Sequence, residues 1–194
     1  MNPLPTEQNG KKRGRVMSNI NNNTPLDTIL QELKAAISEL PAKKQGIIAD
    51  WLSTWTKYLR YERTFIPDML RRYRRGDIVH LNLGFNVGNE QGGAHYAVVV
   101  DVNNNRKSGC VVVVPISSLE AGKGRENVHG SEVYIGKIVP NSDIESYAQP
   151  LQIRCISKLR IIKPKTDKDN VYRLSPDLMN DIDKKIIELF TKKS

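Results

Sequence analysis

A chain of 194 residues, 39% of them hydrophobic, suits one medium domain or a small domain with an appendage, and it has the material for a core. Thirty Lys and Arg against 21 Asp and Glu give a net charge of +9, which favours an anionic partner such as a nucleic-acid backbone. No stretch is long and apolar enough to span a membrane, and the basic residues near the start (Lys11, Lys12, Arg13, Arg15) lack the apolar run of a signal peptide.

Residues 1–23 are polar, rich in Asn, Gly and Pro, and aperiodic, so they read as a disordered basic arm. Thr24-Pro25 then reads as a hydroxyl cap with proline in the first turn of a helix. Leu26, Leu30, Leu33, Ile37 and Leu40 give it an apolar stripe. A second helix is predicted over about 42–61, with Ile47, Ile48, Trp51, Leu52, Trp55 and Leu59 on its apolar face. The two form a predicted helical hairpin over 24–70, and its tryptophans read as core or interface. RRYRR, residues 71–75, follows, either as a charged linker or as a grip on RNA phosphates through Arg74 and Arg75. Charge is uneven. Residues 1–75 hold 14 basic and 7 acidic side chains, hence +7, whereas 76–194 hold 16 and 14, hence +2. The excess is either solvated charge or an N-terminal contribution to RNA binding.

The centre of the chain is 76–118. Three strands are predicted, at 77–83, 95–102 and 110–116. In the first, Val79, Leu81 and Leu83 alternate with a mixed face that carries His80 and Asn82. The third, CVVVVPI, lacks alternation, so both its faces should be covered. Between the first two lies GFNVGNEQGGA, with four glycines followed by His95, which implies positive φ or close approach of a backbone or ligand. Ser117 and Ser118 fall just past the third strand. A loop rich in glycines follows, then strands at 132–139 and 152–162, the latter with Arg154, Lys158 and Arg160 projecting, and a short strand at 171–174. Ser175-Pro176-Asp177 opens a closing helix whose packing face is Met179, Ile182, Ile186, Leu189 and Phe190. Short strands, tight turns and one final helix suggest a small, strongly bent β barrel. Cys110 and Cys155 fall in predicted strands and read as buried free thiols in preference to a disulfide, as in a reducing cytoplasm. No His, Cys or carboxylate cluster has metal spacing, so no cofactor is expected.

GDIVHLNLGFNVGNEQGGAHYAVVV resembles the opening of the MazF/PemK toxins, bacterial endoribonucleases of toxin–antitoxin pairs. CVVVVPISS, PLQIRCISKLRI and SPDLMNDIDKKIIELF resemble later elements of that family, in the same order. The resemblance implies a mainly β (α+β) fold, an SH3-like barrel with a C-terminal helix, over a toxin domain at 71–194. It implies metal-independent cleavage of single-stranded RNA (messenger RNA) by attack of the ribose 2′-OH. A homodimer, a separate acidic antitoxin and a cytoplasmic location are further expectations. Glu90 matches the family glutamate, and Ser117 a strand-end hydroxyl residue. The family arginine is replaced by His95. Histidine can serve as acid or base near neutrality, so His95, Glu90 and Ser117 are the catalytic candidates. Arg154, or else Arg160, would supply the positive charge lost at position 95. Gln91, Asn82, Arg74, Arg75 and Lys158 are further candidates for RNA contact. His80 reads as a fold residue and His129 as solvated. The missing arginine also supports a different class, a non-catalytic binding module for nucleic acid or protein, or a topoisomerase poison like the related CcdB toxins.

Overall fold

The structure is a computed structural model and describes residues 25–138 and 143–192. The basic arm, the expected cap Thr24 and the end of the fourth predicted strand at Val139 lie outside the described residues. The chain forms two compact units, one ending at Pro41 and one beginning at Ala42. The first contains helix α1, Leu26–Ser38, with Pro25 itself in the capping position and no side-chain cap.

The second unit opens with α2, Ala42–Tyr61, followed by seven strands and α3, Pro176–Phe190. The apolar face of α2 is narrower than its sequence pattern. Ile48 is buried and Trp51 and Leu52 are partly buried, but Ile47, Trp55 and Leu59 are about half exposed. The strands are β1 (Ile78–Asn82), β2 (Ala94–Val99), β3 (Cys110–Ser118), β4 (Val133–Gly136), β5 (Ser146–Ala148), β6 (Arg154–Ser157) and β7 (Ile161–Lys163). All pair antiparallel in the order β4-β5-β3-β2-β1-β7, with β6 beside the first half of β3. The sheet is barrel-like but open along this path, and the class is α+β.

β3 is the central strand, and from Val113 to Ile116 both its faces are covered. Val111 and Val113 join one core with Val79, Leu81, Leu83, Ala97 and Val99. Val114 and Ile116 join a second core with Ile78, Val98, Met179 and Ile182. Alternate side chains enter opposite layers because a strand has period two. Each fully buried valine stabilises by about 1.5–3 kcal/mol, which favours a continuous apolar run here over alternation. α3 follows its sequence signals. The Ser175 hydroxyl accepts from Leu178 N, Pro176 occupies the first turn, and Met179 and Ile182 are buried. Phe190, expected on the packing face, is exposed.

Several expectations need correction. The strand predicted over 152–162 is two strands, broken by a 3-10 turn at Lys158–Arg160. The Ser157 hydroxyl caps that turn through Leu159 N, and Lys158 is turned inward. β5 was not anticipated, since three residues carry no readable period. The strand expected at 171–174 reduces to one bridge, Asp77 with Arg173. Cys110 and Cys155 are free but exposed, not buried. Cys155 pairs with half-exposed Val112, so both lie on a side of β3–β6 that the cores do not fill.

RRYRR is not a solvated linker. Tyr73 is fully buried and donates to Pro164 O at 2.8 Å. Asp77, also fully buried, accepts from Arg173 Nε and Nη2 at 2.8 and 2.6 Å and from Arg74 N at 2.9 Å, with Arg71 at 3.7 Å. Arg75 is bound to Val100 O and to Asp183 on α3. Breaking a buried pair by removing one partner is expensive, because the remaining group keeps its desolvation cost. Asp77→Ala is therefore expected to destabilise the fold by about 3 kcal/mol, visible as a lower urea midpoint; an unchanged midpoint would refute the role.

Candidate active site

The β1–β2 loop is folded back on itself by its glycines. Leu83 N donates to Gly93 O and Gly93 N to Gly84 O, both at 2.7 Å. Gly84 has φ +89°, and a Cβ there would meet the Trp51 ring at 2.8 Å. Asn82 Oδ1 accepts from Gly84 N, and Asn86 Nδ2 donates to Gln91 O at 2.7 Å. The loop thus presents Glu90 and Gln91 in a fixed turn.

Gln91 is the hub. Its side-chain nitrogen lies 2.7 Å from His95 Nε2 and 3.2 Å from Nδ1. Its backbone N donates to Gln152 Oε1 at 3.1 Å, and its carbonyl accepts from Arg154 Nη1 at 3.2 Å. Arg154 Nη2 also donates to Gln152 Oε1 at 2.7 Å. His95, Gln91, Gln152 and Arg154 form one network in which all four side chains are partly buried. The β2–β3 ladder pairs Tyr96 with Ile116, so the next residues outward, His95 and Ser117, share one face at the end of the pair. Ser117 Oγ donates to Gln149 Oε1 at 3.2 Å. The imidazole and the guanidinium are thus joined through Gln91, and the Ser117 hydroxyl lies four residues along β3 from Val113, the partner of Arg154. A phosphate ester could meet a proton carrier and a fixed positive charge there. Gln152 belongs to the QIR motif that the sequence offered, but Gln149 carries no local signal.

Glu90 is the exposed neighbour of Gln91 in the same loop. It lines a cavity of about 540 Å³ with Trp51 of α2, Asn82 and Phe85. The remaining candidates are dispersed. Arg74 is exposed, whereas Arg75 is held by α3. The Lys158 ammonium is buried against the carbonyls of Asn105 and Arg106 and lies 5.9 Å from the Tyr73 ring centroid, and burial lowers its pKa. Arg160 donates to Leu83 O and sits 5.5 Å over the Trp51 ring, so it braces the loop against α2. His80 packs against Tyr96 with centroids 5.0 Å apart. Among the described residues, no group of three or more His, Cys, Asp and Glu is positioned to hold a metal, and no helix is long and apolar enough to cross a membrane.

An open, barrel-like antiparallel sheet with a closing helix and a His–Gln–Arg network at strand ends defines a compact α+β domain with a polar site at its rim. The sequence profile of the PemK-like, MazF-like toxins of type II toxin–antitoxin systems matches residues 74–190. The chain therefore belongs to the PemK/MazF toxin family, whose members are endoribonucleases. Among solved structures it is similar to MazF (form I) from Deinococcus radiodurans, at 18% identity and a TM-score of 0.44, over 64% of this chain and 96% of that one. No match was found among curated proteins.

Two consequences are measurable. Gly84→Ala combines a strained φ with a clash against an indole, and is expected to cost about 2 kcal/mol of stability, read by thermal unfolding. His80 is held below histidine's ordinary pKa, first by burial and second by the charge of His95. The unfolded chain then binds the proton more readily than the fold, so stability is lost as pH falls from about 6.5 through the lower, folded value. His80→Phe should flatten that acid limb in urea melts at pH 7 and pH 5; an unchanged slope would refute the assignment.

Proposed function

We propose that this chain is a toxin-type endoribonuclease that cleaves single-stranded messenger RNA without a metal. The carrying observation is the network that ties His95 through Gln91 to Arg154, 2.7 Å and 3.2 Å at its two links. The lost family arginine is offset by Arg154, and the vacated position gains a group able to carry a proton. In the proposed reaction Glu90 takes the proton of the ribose 2′-OH. The 2′-oxygen forms a bond to the adjacent phosphorus, the P–O5′ bond breaks, and His95 gives its proton to the departing 5′-oxygen. Arg154 and the Ser117 hydroxyl hold the non-bridging oxygens as negative charge accumulates. The products are a 2′,3′-cyclic phosphate and a 5′-hydroxyl. Family membership supports a cognate antitoxin, and a homodimer across which the RNA lies is part of the proposal.

The test is incubation of the protein, freed of any antitoxin, with a long single-stranded RNA in EDTA, followed by mapping of product ends. Cleavage at a short recurring sequence with the end groups above is expected. General acid–base catalysis is worth about 10²–10⁴-fold, so His95→Ala should slow cleavage by that factor with the urea midpoint retained. Absence of cleavage by the folded wild-type protein would overturn the reading and favour the binding module.

A further inference from the structure

The cavity between α2 and the glycine loop lies partly outside the segment that defines the family. Its α2 wall comes from residues before position 74, chiefly Asp50, Trp51 and Thr54. The opposite wall is Phe85 and the loop glycines, with Asn82, Asn86 and Glu90 between them. At about 540 Å³ it falls in the range of small-molecule pockets, and its mix of aromatic walls and a few convergent polar groups is that of a ligand site. Trp51 is fixed by close packing on Gly84 and by the Arg160 guanidinium above it. Asn82 has committed its oxygen to Gly84 N and Asn86 its nitrogen to Leu83 and Gln91, so among the described residues each has its other amide atom uncommitted.

The lining atoms decide which part of an RNA fits. Two carboxylates, Asp50 and Glu90, line the cavity and offer acceptors to N–H donors, whereas the nearby cations Lys44 and Arg160 lie over the Phe85 and Trp51 rings, 5.8 and 5.5 Å from their centroids, and not in the lining. The guanidinium that would hold phosphate, Arg154, belongs to the His95–Gln91 network and does not line the cavity.

We propose that the cavity receives one unstacked, amino-bearing nucleobase of the RNA next to the cleaved phosphate, with Trp51 and Phe85 as its walls and Asp50 reading its donor edge. This rests on the ribonuclease reading above and extends it: sequence choice would be set in part by a helix that the family segment does not contain. Carboxylates pair with base amino groups, and guanine, with two adjacent donors, matches one carboxylate best. Aromatic stacking holds a base whatever its identity.

The experiment has two arms. In the first, wild type, Asp50→Asn and Trp51→Ala cut a randomised RNA library, and the cut sites are sequenced. Wild type should prefer an amino-bearing base at one flanking position. Asp50→Asn should relax that preference about tenfold, and Trp51→Ala should lower kcat/KM about ten- to a hundredfold. In the second, an uncleavable 2′-O-methyl pool is bound and the retained sequences are read, which needs no catalysis. Asp50→Asn, on an exposed helix position, tests the idea even if Trp51→Ala unfolds. Unchanged preferences in folded Asp50→Asn in both arms overturn the proposal, including where only antitoxin affinity falls. Loss of cutting with selective binding retained removes the ribonuclease reading but leaves the base slot standing.

Discussion

Asp77 has no solvent of its own, and its carboxylate is reached by two arginines from distant parts of the chain, Arg71 before the sheet and Arg173 after it. A carboxylate in that position costs several kcal/mol unless its oxygens are met, and Arg173 meets one of them with two N–H groups. The pairing fixes where β1 begins. It also ties the start of the sheet to the segment that delivers α3, since Leu174 N donates to Gly76 O and Ile78 N to Tyr172 O. Neighbouring Tyr73 fills the first core, so the basic pentad supplies both an anchor and a plug. The strand register follows from this start, and with it the position of every residue at the far end of β2 and β3.

The rigidity matters because the candidate site is built from strand ends and turns. His95 is the second residue of β2, Ser117 the last but one of β3 and Arg154 the first of β6, so their mutual positions are set by ladders whose interior is apolar and fully buried. Gln91 converts that arrangement into a connected network by using its backbone and its side chain at once. The loop that carries it is itself closed by two short backbone hydrogen bonds between its glycine ends. A site so constructed can hold a charge-bearing ligand without first paying to order its donors.

α2 gives the family fold an additional wall. Trp51 takes the space that any side chain at position 84 would need, and the Arg160 guanidinium lies 5.5 Å from its ring centroid. The helix therefore does not merely precede the domain; its middle turns pack beside the β1–β2 loop, while Ile47, Trp55 and Leu59 stay about half exposed.

Much of this was legible along the chain. Period-two alternation, a valine run and a Ser-Pro-Asp helix start determined β1, β3 and α3, because each signal acts between residues that are near neighbours in sequence. The four ordered motifs determined the family, and the roles of Glu90, His95, Ser117 and Arg154 are proposals that rest on that resemblance. Tertiary structure alone decided the rest. Lys158 looked like a projecting cation and is buried, because two carbonyls 52 and 53 residues away accept its protons. Cys155 looked buried and is exposed, in a shallow hollow shared with Cys110 and the loop from Asp101 to Asn105. Arg75 looked free and is bound by Asp183, 108 residues on. A side chain's residue type sets what it can bind, but which partner reaches it depends on segments far along the chain, and those meet only when the sheet has closed around its cores.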